Sequence, residues 1–381
     1  MAAPRGERFI FSLREASGAA GDLGTLLPLM LGTIAVVGLA PLPVIAGFAA
    51  FYIATALYYR LPVPVQPMKA VAAVLLTTQL TPATLAASGI MIGAILVALG
   101  LTGWITRLAR MVPQSVLAGL QFGLGLALSV VALELMATAP LIGIATLGIL
   151  VGLLLVPRAP SALIAVAVAI GLAHAPGLAG PGLEISTPGS LALASWPTLA
   201  EIERAVSLFV LPQLSLTLTN AVLITALVAG DYFGERAAHV TPKSLSITSG
   251  LANLLLTPLG ALPMCHGAGG LAAHHRFGAR SGTAPLVLGL ALLAIALLPA
   301  DIGLGILAAI PAAGLGALLL MAAGELALTR RLFDCQPSCW PVIALTAGVT
   351  VWADPFWGLV AGSGAEVARR VAIRLLQRRA S

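Results

Sequence analysis

The stretch 61-LPVPVQPMKAVAAVLLTTQ-79 decides the fold, because it sets Pro62, Pro64, Gln66, Pro67 and Lys69 where an apolar run begins. Proline has no amide donor and disfavours helix in the residue before it, so the first seven residues are expected to be irregular. A helix can start only after them. From Pro67 to Gln79 it would span roughly 16–20 Å at about 1.5 Å per residue, a little over half of a hydrocarbon core of about 30 Å. Lys69, one of two lysines in the chain, then occupies the first turn.

The rest of the chain puts that turn inside a membrane. Its 381 residues are 59% hydrophobic and 9% charged, with a mean hydropathy of +1.03, a composition no single water-soluble domain carries. Apolar runs between polar or proline-rich breaks predict fourteen spans, near 18–39, 42–59, 63–79, 83–103, 109–136, 140–156, 160–176, 205–229, 243–262, 264–276, 282–299, 302–327, 339–353 and 355–376. With the N-terminus inside, Lys243 and every arginine except Arg204 fall in cytoplasmic segments. The net charge of +6 is therefore a topology signal, and no nucleic acid is expected as a partner.

The organisation read from this is a cytoplasmic lead (1–17), a first seven-span unit (18–176), an extracytoplasmic linker (177–204), a second seven-span unit (205–376) and a short cytoplasmic tail (377–381). Charges at Arg5, Glu7, Arg8, Arg14 and Glu15 interrupt the lead where a signal peptide needs an apolar core. Cys265, Cys335 and Cys339 match neither a zinc site nor a disulfide framework, and no cofactor is expected.

The two units repeat. A shift of 200 residues lays Leu61–Ala73 on 261-ALPMCHGAGGLAA-273, with Gln66 on His266 and Lys69 on Gly269. A shift of 198 lays 112-VPQSVLAGL-120 on 310-IPAAGLGAL-318, with Pro113 on Pro311. Seven spans is an odd number, so the second unit is inverted relative to the first. The third and tenth spans would then be half-helices whose N-termini meet near the midplane, where free amides and dipole ends favour an anion. Irregular backbone at that depth must be buried in protein or line a cavity. Two half-charges of helix dipole and one ammonium total about +2, which suits a dianion.

At these residues the sequence resembles the molybdate transporter family of bacteria, fungi and plants, distant relatives of the sulfate permeases. The resemblance rests on PVPVQPMKAVAA and LPMCHGAGGLAAHHRFGARSG, with further echoes in EASGAAGDLGTLLPL from Glu15 and PQLSLTLTNAVLITALVAGD from Pro212. It implies an all-α polytopic fold of two inverted seven-helix repeats, a core domain carrying substrate against a gate domain, a homodimer in the cell membrane, and no cytoplasmic STAS domain. It also implies molybdate as substrate, with tungstate competing and sulfate as the rival oxyanion.

The candidate binding residues are Gln66, Met68, Lys69, Asn220, His266, Gly267, Ala268 and Gly269. Gln66 and His266 could donate to oxyanion oxygens or cap local turns. Asn220 could touch substrate or bond to a neighbouring helix, and Gly267, Gly269 and Gly270 could admit an anion or tight packing. Asp22 and His266 are the candidates for carrying a coupled proton, since a dianion entering a negative cytoplasm costs about 2 × 2.3 kcal/mol per 100 mV. His274, His275, Arg276 and Arg280 are expected to anchor the cytoplasmic end of the tenth span, while Glu134 and Glu325 end spans five and twelve. A membrane-embedded metal enzyme is the rival of another class, but His266 and His274 stand about 12 Å apart along a helix and cannot share an ion.

Overall fold

The structure is a computed structural model that describes residues 9–37, 39–69, 71–72, 81–153, 156, 159–175, 197–328, 330–353 and 355–380. Helices make up its regular structure except for one ladder of two-residue strands. That ladder is where the two irregular segments cross. Gln66–Pro67 pairs antiparallel with Met264–Cys265, with Gln66 opposite Cys265 and Pro67 opposite Met264.

Chemistry explains why so short a ladder persists. Prolines leave the first segment short of donors, so its carbonyls need partners from elsewhere. The second segment is held by Asn253, whose side chain donates to the Met264 carbonyl (2.6 Å) and accepts from the Met264 amide (3.0 Å). The Met68 amide donates to the Pro263 carbonyl at 3.0 Å, which extends the crossing by one bond. After it, helix Ala268–Arg276 leaves the second segment. The first segment is helical at Lys69 and at 71–72, while residue 70 and 73–79 of the expected half-helix lie outside the described residues.

Around the crossing, helix partners exchange in a regular way. Pro41–Tyr59 packs on Thr283–Ala296, and Pro82–Thr102 packs on Pro242–Leu256. Moving each helix by about 200 residues converts one pair into the other. Gln114–Ala137 packs on Ala312–Ala327, which the same shift maps onto each other. Helices this close need small residues at the contact. A Cβ on Gly93 would stand 2.8 Å from the Gly250 carbonyl, and one on Gly250 would stand 2.8 Å from the Gly93 carbonyl.

Several expected spans are broken or extended. The run 109–136 divides into Trp104–Met111 and Gln114–Ala137, and 302–327 divides into Ala300–Ala308 and Ala312–Ala327, bent by 58°. Both breaks fall on the matched prolines, whose backbones nearly coincide: Pro113 at φ −67°, ψ 152° and Pro311 at φ −68°, ψ 139°. Proline removes the amide and opens a new helix at its N-cap.

The eighth span is helical from Leu199, inside the expected linker, because Thr198 and Glu201 form a capping box. The last helix, Pro355–Ala380, runs past the expected end at 376. By length and composition, three described helices can cross a membrane alone: Pro41–Tyr59, Ala83–Thr102 and Gln114–Ala137. The bent pair makes a fourth. Side chains such as Val130, Leu133, Leu141, Ile144, Leu290 and Ile306 stand exposed on the outer surface, as a lipid solvent permits.

Candidate functional site

A cavity of about 270 Å³ lies against the crossed segments. At about 30 Å³ per liquid water it has room for the equivalent of about nine waters. Gln66 and Lys69 border it from the first segment, Cys265 and His266 from the second, and Gln213 and Asn220 from the helical run that follows Leu199. Leu124, Leu128 and Val131 of Gln114–Ala137 and Thr350 near the end of Trp340–Trp352 close the opposite wall. Four candidates from the sequence, Gln66, Lys69, Asn220 and His266, thus come together. Met68, Gly267, Ala268 and Gly269 do not line the cavity; Met68 is fully buried in the core and Ala268 is equally enclosed.

Lys69 is half-buried and is the one lysine or arginine among the lining residues. Helix Ala268–Arg276 begins at Gly267, an extended N-cap with no side chain bonded to the first-turn amides. Those amides carry the positive end of the helix dipole.

Gln66 turns away from the role of oxyanion donor. Its Nε2 donates to Asp22 Oδ1 (2.9 Å) and Thr25 Oγ1 (2.6 Å). Asp22 is wholly buried and also accepts from the Tyr52 hydroxyl at 2.5 Å and from the Thr25 hydroxyl. The side chain of Gln66 also explains the glycines. A Cβ on Gly267 would overlap Gln66 Oε1, and one on Gly270 would overlap Asp22 Oδ1 and Gln66 Nε2.

The histidines stabilise the proline-rich segment. His266 bonds through Nδ1 to the Pro64 carbonyl (2.8 Å) and through Nε2 to the Thr248 hydroxyl (2.8 Å). A carbonyl can only accept, so Nδ1 carries a proton, and Nε2 faces the Thr248 hydroxyl, whose own proton also has the Ser244 carbonyl within reach at 3.0 Å. Both ring nitrogens of His266 thus have a polar neighbour within hydrogen-bond distance. His274 repeats the bond one helical stretch later, Nδ1 donating to the Pro62 carbonyl at 2.7 Å.

His274 does not anchor an interface as expected; it is fully buried, because the chain before it dives into the protein at the crossing. His275 and Arg276, beside it, instead pair with Glu325 at 2.5 and 3.6 Å, while Tyr232 stacks on His275. Glu134 is exposed.

Asn220 sits in a π-helical stretch, Thr217–Ile224, and the Thr225 hydroxyl donates to its carbonyl at 2.8 Å. Such wide turns aim side chains that an α-helix would point elsewhere. The Asn220 side-chain oxygen is buried without a partner; half a turn of the amide would present its NH₂ there. Gln213, within the motif PQLSLTLTNAVLITALVAGD, also lines the cavity, and its residue type alone does not mark it out. Its Oε1 accepts from the Val71 amide (3.4 Å), at the start of the first half-helix, and its Nε2 donates to Thr217 (2.9 Å). Cys265 and Thr350 also line the cavity; their side chains carry no sequence signal that separates them from structural ones.

Comparisons with known proteins agree with this architecture. A family model described as "Molybdate transporter of MFS superfamily" matches residues 14–128 and 205–326. Molybdate transporter 2 of Arabidopsis thaliana is 32% identical over 384 aligned residues, covering 87% of this chain and 82% of its own. Molybdate transporter 1 of the same plant is 30% identical, covering 93% and 87%. Among solved structures, the transmembrane domain of a cyanobacterium bicarbonate transporter, BicA, aligns with a TM-score of 0.61 at 17% identity, over 92% of this chain and 96% of that one. Murine SLC26A9, an anion transporter captured in the inward-facing state, gives 0.61 at 14% identity, over 98% and 70%. At such identities the likeness is one of fold. The relatives are transporters, which removes the metal-enzyme rival.

Proposed function

The chain belongs to the molybdate transporter family, and from that premise we propose that it imports molybdate, with tungstate as a competing cargo, by alternating access. The oxyanion sits in the cavity beside the crossed segments. Lys69 and the rotatable amide of Asn220 supply its donors, the positive dipole end of helix Ala268–Arg276 favours its charge from nearby, and Gln66 and His266 hold the segments in place around it. The observation that carries this reading is the single cavity on which Gln66, Lys69, Asn220 and His266 converge.

The cavity has walls on two bodies. One is a core built from both crossed segments and the helices packed on them; the other is a gate containing Gln114–Ala137, Ala312–Ala327 and Trp340–Trp352. Relative movement of the two would expose the oxyanion to either side, and the exchange of helix partners under a 200-residue shift supports inverted repeats as the source of that movement. The arginine distribution supports cytoplasmic termini in the cell membrane.

The test is uptake of labelled molybdate into proteoliposomes with excess sulfate or tungstate as competitor. Molybdate should be carried and tungstate should compete. Sulfate carried as well as molybdate would overturn the substrate assignment. Efficient labelling of a cysteine introduced beside Arg5 by an impermeant reagent on intact cells would overturn the topology.

A further inference from the structure

Resting on the transport reading above, one pair of buried side chains points to the coupling chemistry. His274 Nδ1 donates to a carbonyl, so in the neutral ring Nε2 bears a lone pair. That nitrogen is fully buried, has no hydrogen-bond partner, and faces Asp22 Oδ2 at 3.8 Å. Two acceptors therefore confront one another in a site without water-exposed surface. An unpaired buried acceptor costs free energy, and a proton between the two would remove that cost.

We propose that His274 binds the driving proton and that Asp22 holds it there, the two forming the coupling site of the transporter. The proton leaves a water-borne donor and adds to Nε2; no other bond forms or breaks, and the pair changes from a net −1 to neutral. Asp22 is connected to the cargo through Gln66, which donates to Asp22 Oδ1 and borders the cavity. A dianion beside an uncompensated carboxylate is repelled, so oxyanion binding favours the protonated pair. By linkage the proton favours the oxyanion to the same degree. His266, the other histidine at the crossing, differs in having the Thr248 hydroxyl 2.8 Å from its Nε2.

The titratable groups around the pair are accounted for by element. Tyr52, from Pro41–Tyr59, donates to Asp22 Oδ2. Tyr59 of the same helix bonds to Thr248. Lys69, Cys265 and His266 lie on the crossed segments. Glu15, from Leu13–Gly21, accepts from the Arg280 amide at 2.8 Å, and Arg14 precedes it. Glu325, from Ala312–Ala327, pairs with His275 and Arg276. Asp231 and Tyr232 lie on Thr225–Phe233 beside that pair, and Glu134, on Gln114–Ala137, is exposed.

The experiment measures proton uptake on adding oxyanion to purified protein in weak buffer, together with binding affinity from about pH 5.5 to about pH 8. Molybdate, tungstate and sulfate are run in parallel, so that a wrong cargo and a wrong coupling site give different results. His274→Asn keeps a donor for the Pro62 carbonyl and removes Nε2; Asp22→Asn is the second variant, and His174→Gln, on an exposed ring, is the control. Wild type and control should take up about one proton per oxyanion, with affinity falling up to about tenfold per pH unit on the alkaline side. In His274→Asn and Asp22→Asn the uptake should vanish and the slope flatten to less than about twofold. Undiminished uptake and slope in His274→Asn would overturn the proposal, as would a wild type that binds oxyanion without taking up a proton. Failure with molybdate but success with sulfate would overturn the cargo and leave the coupling site standing.

Discussion

Replacing Lys69 by methionine removes the one ammonium at the cavity wall while keeping most of the side chain's length. At an effective dielectric of about 20, Coulomb's law gives about 8 kcal/mol between an ammonium and a dianion about 4 Å apart. Desolvation of both ions cancels most of that. What remains is the worth of a charged hydrogen bond, about 1.5–3 kcal/mol, or a loss of roughly 10–150-fold in affinity. Titration calorimetry of molybdate into purified Lys69→Met reads this directly. Lys69→Arg, which restores the charge in a different shape, should recover part of it. The reasoning on the site is refuted if Lys69→Met binds molybdate within about threefold of wild type.

Gly267→Ala should displace the Gln66 side chain, because the added methyl would overlap its Oε1; molybdate uptake should fall about tenfold, as expected for a lost buried hydrogen bond to a charged group, and wild-type uptake would show that Gln66 is free to move. Gln213→Ala removes the acceptor for the Val71 amide and the donor to Thr217; thermal unfolding in detergent should reveal a loss of about 1–3 kcal/mol. Glu15, in the lead before the first span, is buried with one oxygen unpartnered, and burial pushes its carboxyl above the ordinary range. The folded chain therefore keeps that proton at a pH where the unfolded chain has released it, so stability falls as pH rises from the normal glutamate range through the raised value. Glu15→Gln, which can still accept from Arg280, should remove that slope and raise the melting temperature near pH 8; an unchanged profile would show that Glu15 does not set it.

Much of the molecule is written in short patterns. Apolar run lengths establish a multi-pass chain, because a bilayer tolerates little else, and the proline spacing in 61-LPVPVQP-67 forces backbone out of helix at a depth where it must be buried. The internal match of Pro113 with Pro311 marks equivalent helix starts, because proline acts locally and its effect needs no tertiary partner. Lys69 stood out for the same reason, since a cation in the first turn of a buried helix opposes the local dipole.

Tertiary structure decided what each polar side chain meets. Gln66 and His266 look alike in sequence, both directly before a short helix, yet one is held by Asp22 and the other by Pro64 and Thr248, contacts separated by 44 and 202 positions in the first two cases. His274 reads as an interfacial residue from its place near Arg276, and only the packing of the crossed segments buries it against Asp22. Gln213 and Thr350 gain their places from folding alone, and the π-helical turn that aims Asn220 has no signature in residue type. Sequence thus determined the multi-pass character of the chain and the irregular, proline-rich segments, because those depend on neighbours along the chain, while helix bounds and breaks shifted with packing. The site depended on neighbours across it, where distance in sequence carries no information about distance in space.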